Sequence, residues 1–135
     1  MSLVKPIFGS QIDKNHHLSK GLIAYWLFNE GAGNKCYNSA DICHLEHLPN
    51  APIWIPEGLS FSGGNKYATC QHTPRLDFGT GDFSITIRLR TTSNANQYVF
   101  GKNYGGDTAK WWSVNVDTRQ VVFMMDDGQK CRNSN

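Results

Sequence analysis

The chain has 135 residues, a formal charge of +2, 39% hydrophobic and 18% charged side chains. That is the size of one domain able to bury a core without staples, and the composition is not that of a disordered chain. Lys and Arg are scattered rather than striped, which argues against nucleic acid, and no apolar run approaches the ~18 residues of a membrane span.

Residues 1–20 read as an extended arm, because Pro6, Gly9 and the polar run Asp13 to His17 break any period. The arm has no apolar stretch of the secretory-signal kind. The short aromatic run Gly21 to Phe28 reads as a buried strand, ended by the turn residues Asn29 to Asn34. A polar loop, Cys36 to Asp41, leads to a short strand beginning at His44. Gly58 to Ser62 and Lys66 to Cys70 alternate apolar and polar, and the Gly63-Gly64-Asn65 turn between them predicts a β-hairpin. Thr73 to Phe78 reads as a turn or single helical turn. Asp82 to Thr91 has the cleanest alternation, with Phe83, Ile85, Ile87 and Leu89 on one face as expected core. Strands then follow at Gln97 to Phe100, Trp111 to Val116 and Arg119 to Met125, the last two joined at Asp117-Thr118. No stretch has an ordinary helix period, so the expected class is all-β, a sandwich or barrel.

The phrases themselves carry a resemblance. Gly21 to Gly33, the loop Asn38 to His44, Gly58 to Gly63 and above all Arg75 to Ile85 resemble, in order and spacing, the opening strands of concanavalin A-like, laminin G-like domains. The resemblance implies a two-sheet antiparallel jelly-roll sandwich over residues 21–135, incomplete at its C-terminal side, where such domains continue into further strands. The arm also resembles that of laminin G-like proteins encoded by phages. This implies a virion as one setting, and partner chains or a homo-oligomer formed through the arm and an open sheet edge.

Catalysis is not expected. Glycan hydrolases on this fold need two carboxylates facing across a groove, and the three Glu residues, Glu30, Glu46 and Glu57, form no E-x-D-x-x-E pattern. A hydrolase fragment is therefore the weakest reading, and no G-x-S-x-G elbow points to a serine nucleophile. Non-catalytic binding of a glycan is the leading expectation. Trp111 and Trp112, one facing in and one out, together with Asn103, Tyr104 and Asp107, form the expected ligand site, since sugars take aromatic faces plus amide and carboxylate partners. The oxygen-rich loops carrying Asn29, Glu30, Asn38 and Asp41 are the candidate ligands of one structural calcium ion. Cys36, Cys43, Cys70 and Cys131 match no zinc spacing and are read as free thiols, with a Cys36–Cys43 bridge across the loop as the alternative pairing.

Overall fold

A computed structural model of the chain describes residues 5–40, 43–47, 52–63, 66–79, 81–102 and 111–126. Among the described residues eight strands pair antiparallel in three small sheets, and no helix exceeds a single 3-10 turn (His17–Ser19 and Pro74–Leu76). The all-β class therefore holds. The chain divides into two units, Met1–Asp77 and Phe78–Asn135.

The first unit contains β1 (Lys35–Cys36), β2 (Leu45–His47), β3 (Ile53–Ile55), β4 (Gly58–Ser60) and β5 (Ala68–Thr69). β2 lies between β1 and β5, while β3 and β4 form a hairpin of their own. The expected hairpin of Gly58 to Ser62 with Lys66 to Cys70 is thus not formed: β4 pairs with β3, and β5 with β2. The reason is local. Ile55 is paired with Gly58, so only Pro56 and Glu57 lie between the strands. Proline presets the backbone for the first central position of such a turn, and a two-residue loop closes more readily than the longer Gly-rich one. The aromatic run at Gly21 to Phe28 is reduced to one isolated bridge, Trp26 to Asn38. Tyr25 is 41% exposed rather than core.

The second unit is built on β6 (Gln97–Lys102), β7 (Trp111–Asp117) and β8 (Gln120–Asp126), with β7 in the centre. β7 and β8 pair without a break from Trp111–Asp126 to Asp117–Gln120. The turn sits at Thr118 and Arg119, both at positive φ (45° and 67°). That geometry matches the twist of the flanking strands even though neither residue is glycine. Register places Trp112, Val114 and Val116 on one face with Phe100 and Phe123. Phe78 stacks on Trp112 at 4.6 Å and on Phe83 at 4.0 Å, and Phe83 meets Phe123 at 5.7 Å. Each aromatic pair of this kind adds ~0.5–1.5 kcal/mol beyond its buried area.

Residues 82–91 belong to no strand. Their alternation is real, but a strand also needs a neighbour to accept its hydrogen bonds, and periodicity does not supply one. Ile87 and Leu89 of the expected core face consequently stay 38% and 42% exposed.

A bulge in β6 shapes the opposite face of this sheet. Tyr98 pairs with Asn115 and Phe100 with Val114, which leaves Val99 as the extra residue. The inserted residue reverses the alternation, so Tyr98 and Gly101 fall on the same face. The Tyr98 ring lies over Gly101, and a Cβ there would run into the Tyr98 hydroxyl and the Trp112 carbonyl. Gly101→Ala is therefore expected to destabilise the protein by ~1–3 kcal/mol, the usual cost of overpacking. Urea unfolding followed by tryptophan fluorescence checks this, and an unchanged midpoint would refute the close approach.

Candidate functional site

Buried polar atoms without a partner occur in both units, at Glu30 and Asn38 in the first and at Ser113 and Asn115 in the second, and the first pair lies beside the cleft-forming turn. Alternation about β1 sets the side-chain directions there. Cys36 (0% exposed) and Asn38 (5%) point in, and Tyr37 (43%) points out. Asn38 Oδ1 accepts from the backbone N–H of Tyr25 and of Ala40, both at 2.9 Å. Its own N–H donates to His44 Nδ1 at 3.1 Å. Ser39 N–H donates to the Tyr25 carbonyl at 2.9 Å, and the Trp26 indole N–H to the Cys43 carbonyl at 3.2 Å. One inward amide thus joins the aromatic run, the polar loop and the approach to β2.

The arm closes over the outward side. Lys5 Nζ donates to the Phe28 carbonyl at 3.0 Å, and Asn29 Nδ2 donates to the Pro6 carbonyl at 2.7 Å. Phe28 is held at φ 52°, a left-handed conformation uncommon for a bulky side chain. The Phe8 ring comes to 5.9 Å from Tyr37, and Tyr37 meets His44 edge-on at 5.0 Å. The result is a cleft of about 190 Å³, with Phe8, Leu27 and Tyr37 as apolar walls and Ser10, Asn29, Glu30 and Ser39 as polar groups. Drug-sized sites run ~300–1,000 Å³, so this cleft suits one small ring or the end of a chain.

Glu30 is the distinctive group. Its Oε1 accepts the Tyr37 N–H at 2.6 Å, which fixes the carboxylate. Its Oε2 is buried and has no hydrogen-bond partner. An acceptor kept from water and left unpaired costs ~1–3 kcal/mol, or more for a charged group.

Of the expected calcium ligands, Asp41 lies outside the described residues. Asn29, Glu30 and Asn38 do come close in the chain's turns, but in different roles. Both lone pairs of Asn38 Oδ1 are occupied by backbone donors, which leaves none for a cation. Asn29 and Glu30 each spend one side-chain atom, Nδ2 and Oε1, on a hydrogen bond, and each keeps another oxygen. Among the described residues no three His, Cys, Asp or Glu side chains gather as a metal set.

The expected ligand site in the second unit is described only at its two tryptophans. Trp112 is the inward residue of its pair, 5% exposed and stacked on Phe78, so it has no face free for a ligand. Trp111 is half-buried, and Asn103, Tyr104 and Asp107 lie outside the described residues. Trp54 spends its indole N–H on the Gly33 carbonyl at 2.9 Å. Sequence reasoning reached Asn29, Glu30 and Asn38 but missed Phe8, Ser10 and Tyr37. For Tyr37 the signal was present in the in-out-in pattern of Cys36, Tyr37 and Asn38. For the arm residues it was not, since their place depends on bonds spanning 23 positions. Comparison with protein-family models, with curated proteins and with solved structures finds no match to this chain.

Behind the cleft, the Cys36 thiol is pushed up to about 12, first by burial and then by the charge of Glu30. The sign of its effect on stability follows. Below pH ~9 folded and unfolded chains both keep the proton; between ~9 and ~12 only the folded chain does, so stability falls as pH rises. The urea midpoint is expected to drop between pH 8 and 10, and to drop less in Cys36→Ala. Equal slopes in the two proteins would show that Cys36 is not the buried neutral thiol described here.

Proposed function

We propose that this chain is a non-catalytic binding module for saccharides, with the ligand seated in the cleft between the arm and the Asn38 turn. The observation that carries the reading is the cleft in which the aromatic walls of Phe8 and Tyr37 stand with Ser10, Asn29, Glu30 and Ser39. A sugar ring presents an apolar face to such walls and hydroxyls to such polar groups, and hydrogen bonds to a carboxylate are the strong ones among these. The antiparallel, nearly helix-free chain is what a laminin G-like domain of the concanavalin A-like class requires, and that jelly-roll sandwich is the architecture proposed.

A second reading, an interaction scaffold within an assembly such as a phage virion, is favoured by a different observation. Apolar side chains stand exposed along the edge strand β8 (Val121 72%, Phe123 45%, Met125 51%) and along the unpaired residues 82–91. A row of free backbone groups beside apolar side chains invites a further strand. Sedimentation showing only monomer across the micromolar range would count against it.

The binding reading is tested on a glycan array with and without calcium, followed by calorimetry on the best hit. Binding is expected at both calcium levels. Glu30→Gln is expected to weaken it at least ~10-fold, in line with ~1.5–3 kcal/mol for a hydrogen bond to a charged group, and Tyr37→Ala to weaken it similarly. An empty array, or affinity untouched by both changes, would overturn the proposal.

A further inference from the structure

We propose that Cys43 and Cys70 form an intrachain disulfide, a modification site that closes the chain between them into a covalent loop. The two cysteines lie 27 positions apart, yet their sulfurs stand 2.6 Å from each other, inside the contact distance of two unbonded sulfurs. Strand register produces the meeting. β2 and β5 pair through Glu46–Thr69 and His47–Ala68, so the chain entering β2 runs beside the chain leaving β5. The bridge across the loop that spacing alone favours, Cys36 to Cys43, gives way to this one: the sulfur beside Cys43 is that of Cys70, while Cys36 is fully buried. Both Cys43 and Cys70 are half-buried and so open to a small reagent.

The bridge has a structural task. The β2–β5 ladder holds only two residue pairs, and two-stranded pairings so short are marginal by themselves. Cys43 is also an anchor of the candidate site, because its carbonyl receives the Trp26 indole and the next residue, His44, receives the Asn38 N–H. Joining Cys43 to Cys70 ties that anchor to the far strand of the sheet. The inference stands on this geometry and does not rest on saccharide binding.

The reaction is a two-step thiol–disulfide exchange with a low-molecular-weight disulfide, RSSR. One protein thiolate attacks RSSR, forms a mixed disulfide and releases one RS⁻. The second thiolate attacks the protein sulfur of that mixed disulfide and releases the other RS⁻. The two thiols give up two electrons to the S–S bond of the reagent, and their two protons end on the two RSH produced. The Cys70 thiol is pushed up to about 12, by burial first and then by the hydrogen bond and charge of Cys43. The thiolate is the attacking form, so the exchange quickens as pH rises.

The test uses the full chain, purified reduced and then held in excess oxidised glutathione. Non-reducing peptide mapping is expected to show a Cys43–Cys70 linked peptide pair and the loss of two titratable thiols. The melting temperature is expected to rise by about 5 °C or more, as for a cross-link closing a loop of this length, and dithiothreitol to reverse the gain. Cys36→Ser keeps the linked pair, and the Cys43→Ser, Cys70→Ser double variant shows no gain with oxidant, each protein being compared with its own reduced form. Separate glutathione adducts on Cys43 and Cys70, a bridge to Cys36 or Cys131 in place of this one, or an unchanged thiol count would each overturn the proposal.

Discussion

The first unit depends on one side-chain oxygen, Asn38 Oδ1, which accepts two backbone N–H groups from segments on either side of it. Its sheets are too short to organise that region. β1 has two residues, and the aromatic run contributes only the Trp26–Asn38 bridge. Where ladders are missing, buried backbone groups must find side-chain partners instead. Asn38 does this at 5% exposure, and each bond, to a partly buried donor, contributes ~1 kcal/mol net. The directions of Cys36 and Tyr37 follow from its inward position, and with them the wall of the cleft and the donor that fixes Glu30.

The second unit is held by other means. β7 is hydrogen-bonded on both sides and buried from Trp112 to Val116, and one aromatic cluster covers one of its faces. That difference is why the proposed ligand is seated in the first unit. A tryptophan that completes a stacked core is spent on stability, whereas an exposed tyrosine beside an unpaired carboxylate oxygen still has interactions to offer. The same contrast separates the cysteines: Cys36 is sealed and inert, while Cys43 and Cys70 face each other across a short ladder.

Much of the second unit was legible in the residues. Alternation through Trp111 to Val116 and Arg119 to Met125 marked β7 and β8 as a pair, and missed their turn by a single residue because Thr118 and Arg119 are not the usual left-handed residues. The single helical turn near Pro74 was legible from Thr73 and proline chemistry. Partner choice was not. Gly58 to Ser62 reads as a strand in any context, but only the tight Pro56-Glu57 loop shows that it pairs backward with β3. Asp82 to Thr91 shows the same limit, since its period tells which side chains share a face and nothing of what lies beside them. In the site, Glu30 and Asn38 stood out as oxygen-rich turn residues, but not that one oxygen braces the backbone while another is left free. Phe8 enters the cleft through Lys5 and Asn29 bonds that no local pattern encodes.

The central claim is that the arm and the Asn38 turn together form the binding site. Amide chemical-shift mapping during titration with a saccharide tests it most directly. The largest shifts are expected at Phe8, Ser10, Glu30, Tyr37 and Ser39, with β7 unmoved. Shifts centred on Trp111 and its neighbours, with the cleft silent, would contradict it.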